Sequence, residues 1–593
     1  MNLRNLQHNH KRQFIKTTMA QPTAARSSSA TAWGTVLQEN HWSCVLCLVL
    51  AYTALKILLF PAYRSTDFDV HLHWKSLTWH LNHTRQWYFD DEYVETIHTL
   101  DYPPSFAYLE WFWSNNPLTR WLLRNEFLDS ACLALKPSIP RHEPSVACVA
   151  FMRSTVLVSE SVYWLACYVW ACLVAPPSTN SPKPSNHDHP FSWRLFLLLA
   201  LNPAILWLDH VHFQYNGFLL GLLMLSLACL WLGLDTSRKS SSLLWNLLGA
   251  VLYATLLTFK HLYLTLALWY FAYLLRKFCF VANSSSKKEP MNSFSIRRFL
   301  LLGTVTVTTI LVPFAPFLKS TQLQRIFQRL FPFQRGLVHD YWAGNVWAIL
   351  MAAQKIVKAL PNDVPPRFVA GILVTSLLPG CGSAWKSAAL PAKSHKVTAK
   401  ARLQMVEGFT YSALASFMTG YHVHEKAIVH TLLPLSILAV AEYHDREKRT
   451  ADSAPTGKRL LLFRTQAFAL TGLLPLLYPA TELLMKLTSL IAYLSMVCHF
   501  LQPSVHISTW KHGNPLSLVF SPRQQVWGVT AIISATVTLL EFVPLSVFGK
   551  YEFLPLALTS VTVACGLIWT FAELLWGVLV GPSRVLRKEQ KLE

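Results

Sequence analysis

What most constrains this chain is a succession of apolar runs separated by polar corners, most of them long enough to cross a bilayer. The first covers 42–61. Others follow at 150–176, 191–208, 214–234, 243–259, 262–281, 299–318, 341–358, 367–385, 404–421, 427–442, 460–479, 480–502, 526–548 and 554–580. A hydrocarbon core of about 30 Å takes about 20 helical residues to cross, and inside it every backbone N–H and C=O must be satisfied within the chain. The reading is an all-α polytopic membrane protein. Composition agrees: 52% of the 593 residues are hydrophobic and 14% are charged, against about 25% charged in soluble proteins. A soluble globular, disordered or fibrous protein is excluded.

The 52 Lys and Arg outnumber the 31 Asp and Glu, a net charge of +21. In a soluble chain that excess would suggest nucleic acid. Here the basic residues lie between apolar runs, as topological anchors and contacts for anionic lipid, so no nucleic-acid partner is expected. Residues 1–41 form a polar, basic segment expected to be a disordered cytoplasmic tail. The membrane domain is expected over 42–582, and the basic end 583–593 is expected in the cytoplasm. The connections 276–298, 386–402 and 444–459 are basic as well. Counting every run as a span puts 386–402 on the wrong side, so one of 341–358 and 367–385 is expected not to cross. About fourteen spans then remain, with both termini cytoplasmic.

The loop 63–102 is different in kind: acidic (Asp67, Asp69, Asp90, Asp91, Glu92, Glu95, Asp101) and rich in aromatics. The topology places it across the membrane from the cytoplasm, where its sequon Asn82-His83-Thr84 is open to glycosylation at Asn82. A second sequon at Asn283 falls on the cytoplasmic side and is expected to stay unmodified. The segment 319–341 and the corners 209–216, 260–261 and 422–426 gather further polar residues on that far face. Polar groups at one membrane boundary suit an active site there better than a permeation path, whose polar groups sit deep in the spans. The eleven Cys show no repeated zinc spacing, and Cys44-x-x-Cys47 lies inside the first apolar run. No disulfide framework is expected.

Five motifs could carry chemistry. In Thr66-Asp67-Phe68-Asp69-Val70-His71-Leu72-His73-Trp74, helical spacing puts Asp67, His71 and Trp74 on one face and Asp69 elsewhere. Asp67 is the candidate base; Asp69 either contacts substrate or closes a capping box with Thr66. In Leu100-Asp101-Tyr102-Pro103-Pro104 the prolines open a helix, Asp101 is expected to cap backbone N–H groups, and Tyr102 could line a site. The corner Asp209-His210-Val211-His212-Phe213-Gln214-Tyr215-Asn216-Gly217 either reads sugar hydroxyls or satisfies the backbone of a turn. Lys260-His261 is a snorkelling anchor or an anion contact. Phe331-Pro332-Phe333-Gln334-Arg335-Gly336-Leu337-Val338-His339 and Tyr421-His422-Val423-His424-Glu425-Lys426 supply the Arg fork and Lys point charge a lipid phosphate needs. Histidines two apart, such as His422 and His424, do not converge on one helical face, and no third ligand is evident, so no metal is expected.

Together and in this order, these motifs resemble those of a known family. The chain resembles the dolichyl-phosphate-glucose-dependent alpha-1,3-glucosyltransferases of the endoplasmic reticulum, multispanning enzymes of the GT-C fold that extend the lipid-linked oligosaccharide of N-glycosylation. The branch adding the second glucose typically reads Thr-Asp-Phe-Glu-Val-His, Phe-Pro-Phe-x-Arg-Gly-Leu-x-His, Tyr-Trp-Ala-Pro-Asn and His-Val-His-Glu-Lys-Ala. This chain matches it over 66–71, 331–339, 341–345 and 422–427. It departs at Asp69 for Glu, at Leu72-His73 for Arg-Asn, and at Gly344 for Pro.

The resemblance implies transfer of glucose from dolichyl phosphate beta-glucose to a 3-hydroxyl of the terminal glucose of a dolichyl-diphosphate oligosaccharide, with inversion at the anomeric carbon. One direct displacement needs one base, for which Asp67 is the candidate. It also needs positive charge at the departing phosphate, from Arg335, His424, Lys426 and Lys260. Candidate sugar and acceptor contacts are Asp69, His71, Trp74, Tyr102, His212, Gln214, Tyr215, Asn216, His261, His339, His422 and Glu425. The leaving group is already an anion, so neither general acid, metal nor cofactor is implied. Residence in the endoplasmic reticulum membrane, with a lumenal site, also rests on the resemblance. The rivals are the first-glucose enzyme of the same family, a polytopic transporter and a non-catalytic scaffold. A transporter predicts ionisable residues in mid-span and repeated halves, neither of which is clear in the sequence.

Overall fold

The computed structural model describes residues 41–81, 83–139, 142–175, 191–235, 239–282, 292–331, 336–338, 342–357, 364–389, 395–447, 457–501 and 522–580. The principal helices are α1 (His41–Leu58), α2 (Thr66–His80), α3 (Pro104–Asn115), α4 (Val146–Ser159), α5 (Ser161–Leu173), α6 (Asn216–Gly233) and α7 (Lys239–Phe259). They continue with α8 (Ser320–Leu330), α9 (Pro366–Ala389), α10 (His395–Thr419), α11 (Gly457–Leu473) and α12 (Leu554–Val580). Among the described residues, ten helical segments are long and apolar enough to cross a membrane. The apolar runs at 262–281, 404–421, 460–479 and 526–548 are also helical. The first is broken into short pieces, and α10 is diluted by Thr410, Ser412 and their polar neighbours. Much of α10 is enclosed by protein, so it does not need the all-apolar surface that lipid demands. The expected count of about fourteen spans is reached only if these four cross too.

Of the pair left open by charge, 341–358 forms a helix of only 11 residues, Val346–Ile356, whereas α9 has 24. At 1.5 Å per residue the first is about half the hydrocarbon thickness. By length, α9 is the one able to cross. The all-α expectation has one small exception: Phe280–Ala282 pairs antiparallel with Asn292–Phe294 in a two-stranded ribbon.

Two cores organise the chain. The larger is the helix bundle. α6 is apolar on every side and is buried between α5 and α7, while α9 packs on α10, and both α10 and α11 pack on α12. Gly221 permits the α5–α6 approach, since a Cβ there would stand 2.7 Å from the Val162 carbonyl carbon and the Tyr163 nitrogen. The smaller core caps one end. It gathers Phe68, Trp74 and Leu77 of α2, Phe106 of α3, Trp87 and Tyr88 of the acidic loop, Phe213 and Tyr215 of the 209–217 corner, and Ile326 and Leu330 of α8. The amphipathic helix α8 is pinned to the acidic loop by Arg329, which reaches Asp90 at 2.5 Å and Asp91 at 2.8 Å, and by an Arg325–Asp91 pair. Asp90 accepts the Leu100 N–H at 2.8 Å, and α3 starts from Pro103 with no side-chain cap.

A Cys132–Cys148 disulfide ties the short helix Ser130–Leu133 to the first turn of α4. It corrects the expectation of no disulfide. Each cysteine looks isolated in sequence, 16 residues from its partner, and only the fold brings the two together. A loop of that length stabilises by about 3 kcal/mol through the unfolded chain.

Ionisable groups also lie within spans, which the apolar pattern had hidden. Lys56 of α1 donates to both carboxylate oxygens of Glu160 at 2.5 and 2.6 Å, and His210 reaches Glu160 Oε2 at 2.8 Å. All three are buried. They neutralise one another and join α1, the α4–α5 junction and the 206–211 turn, so they form a tie between helices and not a conduit. Breaking such a buried pair from one side leaves an unpaired charge, at about 3–5 kcal/mol. Lys56→Met is therefore expected to lower the thermal unfolding midpoint of the purified protein in detergent. Glu160→Gln is expected to do the same, while the exposed Lys550→Met leaves it unchanged.

Candidate active site

Asp67 sits in the first turn of α2, where the N-terminal end of the helix favours a carboxylate. The N-cap is Ser65, whose Oγ accepts the Asp67 N–H at 3.2 Å and donates to the His212 carbonyl. Thr66 is already helical, so the capping box expected from Thr66 and Asp69 does not form at that position. The one hydroxyl of Ser65 thus both starts the helix and fastens it to the 209–217 corner.

That corner delivers two side chains to Asp67. Gln214 Nε2 donates to Asp67 Oδ2 at 2.7 Å, and His212 Nε2 lies 3.0 Å from the same oxygen. Between them Phe213 has φ +80°, a conformation that is uncommon without glycine and is held only where packing over-determines it. Its ring is buried 5.0 Å from Phe68 and 5.5 Å from His71. Asn216 Nδ2 supports Gln214 Oε1 at 3.1 Å and Asp209 Oδ1 at 3.0 Å, and Asp209 Oδ2 takes the Gly217 N–H at 2.5 Å. Asp209 and Asn216 therefore satisfy the turn, one of the two roles its sequence left open, while His212 and Gln214 reach Asp67.

Lys426 completes the arrangement, with Nζ 2.5 Å from Asp67 Oδ2. Its corner is held to a second motif: His422, at φ +51°, donates its N–H to the Leu337 carbonyl at 2.9 Å and places Nδ1 3.0 Å from the Gly336 carbonyl. His424 stands with its ring 5.7 Å from that of His422. The Asp67 side chain keeps 27% of its surface open and Lys426 15%. Burial alone would push the Asp67 carboxyl up. The Lys426 charge and the His212 contact outweigh it and hold the group well below the usual carboxylate range. A carboxylate can only accept, so His212 Nε2 carries the proton. Burial, then the Lys426 charge, push the His212 imidazole below its ordinary value and keep it neutral.

Lys260 lies 5.1 Å above the Tyr102 ring. Burial lowers its pKa, against the opposing pull of Asp67, Asp209 and Asp101. His261 beside it has a buried Nδ1 with no partner among the described residues, and burial takes it down to about 4. Glu425 is buried next to Lys426 and lines a small cavity with Trp342, Thr559 and Ser560. Gly344 packs so tightly on Val563 that a Cβ would stand 2.4 Å from its Cγ1.

Direct sugar contact had been expected of His71, Trp74 and Tyr215, but burial leaves them no open face. His71 Nδ1 meets Glu110 Oε1 at 2.6 Å, Lys75 bridges Glu110 Oε2 at 2.5 Å and the Tyr215 hydroxyl at 2.8 Å, and Trp74 donates to the His98 carbonyl at 2.9 Å. They brace α2 from behind. Asp69 faces a different cleft from Asp67. Arg335, His339 and Asn82 lie outside the described residues. Among the described residues, no group of three or more His, Cys, Asp or Glu is placed to hold a metal ion.

Sequence reading missed Arg153, Glu110 and Lys75. Arg153 of α4 is buried and donates to the carbonyls of Ala62 at 3.1 Å and Tyr63 at 2.9 Å, and to that of His210. It clamps the start of the Asp67 segment to the His212 corner. Its signal was available: an arginine inside an apolar run has to be paired.

A carboxylate at the end of a polytopic helix bundle, ringed by cationic and amide side chains, is the candidate active site of this membrane protein. Residues 52–574 match the model of the ALG6, ALG8 glycosyltransferase family, and the chain belongs to that family. It is similar to proteins named dolichyl pyrophosphate Glc1Man9GlcNAc2 alpha-1,3-glucosyltransferase. The mouse protein is 32% identical over 94% of this chain and 98% of its own length. That of Coccidioides immitis is 33% identical over 90% and 97%, and that of Arabidopsis thaliana 32% over 76% and 81%.

The lowered Asp67 pKa has a pH consequence. The pair with Lys426 contributes its full stability above the ordinary carboxylate range and loses it as pH falls through the lowered value. Lys426→Met removes the largest stabilising charge, so the acid limb of the pH–rate profile of glycosyl transfer is expected to move upward, to higher pH than in the wild type.

Proposed function

We propose that this protein transfers glucose from dolichyl phosphate beta-glucose to the 3-hydroxyl of the terminal glucose of Glc1Man9GlcNAc2-diphosphodolichol. The alpha-1,3 linkage formed is that of the second glucose. The names of the relatives and the second-glucose form of the motifs support this acceptor. The observation that carries the chemistry is the asymmetry of Asp67. Lys426, Gln214 and His212 all engage Oδ2, which leaves Oδ1 as the oxygen for the acceptor proton.

In this mechanism the acceptor O3 attacks the anomeric carbon from the face opposite the phosphate. The bond from that carbon to the phosphate oxygen breaks, the electron pair leaves with dolichyl phosphate, and the acceptor proton passes to Asp67 Oδ1. Gln214 and His212 hold the carboxylate in register. Lys426, with Lys260, His424 and Arg335, offsets the charge on the departing phosphate. As Lys426 turns toward the phosphate it releases Asp67, whose basicity then rises. We infer that no metal is needed, because the phosphate leaves as a stable anion held by cationic side chains. Placement at the lumenal face of the endoplasmic reticulum, with both termini cytoplasmic, is supported by the disulfide at the capped end, since such bridges persist in oxidising compartments.

The test is transfer by the purified protein from labelled dolichyl phosphate glucose to acceptors carrying no glucose or one. Label on the one-glucose acceptor alone is expected. Label on the glucose-free acceptor would assign the first-glucose reaction, and none on either would sink the proposal. Asp67→Asn, eluting as a single folded peak, is expected to lose turnover by about 10²–10⁴-fold, with donor binding retained.

A further inference from the structure

α3 lies across the ends of two spans. At its start Ser105 Oγ stands 2.7 Å from Thr258 Oγ1, where α7 ends beside Lys260. One turn on, Tyr108 donates its hydroxyl to the Pro313 carbonyl at 3.2 Å, near the end of the span Ile296–Phe317. None of residues 296–314 of that span is buried, so it stands at the edge of the bundle. Ser105, Tyr108 and Phe112 fall on one face of α3 at helical spacing. The first two meet protein, whereas Phe112 and its neighbour Trp111 are exposed. The face of α3 that covers the span ends therefore continues past them at the level where the bilayer ends.

The chain then turns at Asn116, whose Oδ1 accepts the Thr119 N–H at 3.0 Å, into the short helix Pro117–Arg124. Its inner side is the buried Thr119, with Leu122 and Leu123 packed on the smaller core. Its outer side carries Leu118 and Trp121, three residues apart, flanked by Arg120 and Arg124, four apart, and all four are exposed. Beyond it Glu126 takes φ +58°, uncommon for a residue with a side chain. The Phe127 and Leu128 N–H groups close this turn on the Leu122 carbonyl, at 3.0 and 3.2 Å. The turn brings the Phe127 ring back onto Trp121, with centroids 5.3 Å apart and planes 17° from parallel. Trp121 stays 52% exposed and Phe127 63%. Large apolar side chains gathered on an outer face mark an interaction surface. Trp and Phe beside arginines are the residues that settle at a membrane–water boundary, and the two arginines outweigh the single Glu126 among them.

We propose that the 111–127 segment docks on the phospholipid surface at the capped end of the bundle. Leu118, Trp121 and Phe127 enter the headgroup layer, and Arg120 and Arg124 hold lipid phosphates. Lipid is the occupant on two grounds. α3 reaches this surface directly from the ends of two membrane spans, one of them at the bundle's edge, and the guanidinium forks complement phosphate oxygens. The docking has a consequence for the site. Glu110 of α3 holds His71 at 2.6 Å and Lys75 at 2.5 Å, both on α2, so the depth at which α3 rests fixes the height of Asp67 above the membrane. A sugar carried on a lipid phosphate has to be met at that height. The docking itself needs only a bilayer, so it stands or falls apart from the transfer reaction.

The test is photo-crosslinking of the full-length protein in vesicles of phosphatidylcholine and phosphatidylserine, with no donor or acceptor present. Trp121 and, in a second protein, Phe127 are replaced by p-benzoylphenylalanine, and the irradiated protein is digested and weighed by mass spectrometry. Both positions are exposed, so the replacement leaves the core intact, and a folding failure in one leaves the other informative. A phospholipid adduct is expected at each position. Its yield is expected to fall several-fold when Arg120→Glu and Arg124→Glu are combined with the crosslinker. Folded protein with no lipid adduct at either position would overturn the docking. So would a covalent dimer in place of the lipid adduct, which would assign the face to a second copy of the chain. A yield that the double charge reversal leaves unchanged would overturn the phosphate contacts.

Discussion

One guanidinium makes the site possible. Arg153 lies inside an apolar helix, where an unpaired charge is untenable, and it is met by the carbonyls of Ala62, Tyr63, His210 and Val211. Those carbonyls belong to two segments far apart in sequence, the approach to α2 and the corner before α6. The clamp holds them at one distance, and Ser65 repeats the link through the His212 carbonyl. Asp67 and its partners His212 and Gln214 are thereby brought together by groups that touch no substrate.

The charges of the site form two shells with different tasks. The outer one, Lys56–Glu160–His210 and His71–Glu110–Lys75, is buried and mutually neutralised, and it ties helices together. The inner one, Asp67–Lys426–His212–Gln214, is partly open and is held under electrostatic tension. In the mechanism proposed above, a phosphate that draws Lys426 away frees Asp67 to accept a proton.

The fold was legible in broad outline because membrane helices are written as long apolar runs, and because charge bias between them orients the chain. The 341–358 and 367–385 pair was ambiguous on charge and became unequal once the helix lengths were known. Asp67 stood out for the same kind of reason: helical spacing and its place directly after the first span made it the candidate base. Arg153 was visible as a charge inside an apolar run, but its partners are backbone carbonyls, which carry no residue signature. His71, Trp74 and Tyr215 look in sequence like sugar contacts, and packing behind α2 turns them into braces.

By itself the sequence determined which segments can live in lipid, which end is polar, and which side chains are chemically able to act as base or phosphate partner. These are local properties, set by residue type and by the 3.6-residue period. Only the tertiary structure decided that Lys426, His212 and Gln214 converge on one oxygen of Asp67, and that Cys132 reaches Cys148. Those facts depend on contacts between segments as much as 359 residues apart, and such separations leave no periodicity in the chain.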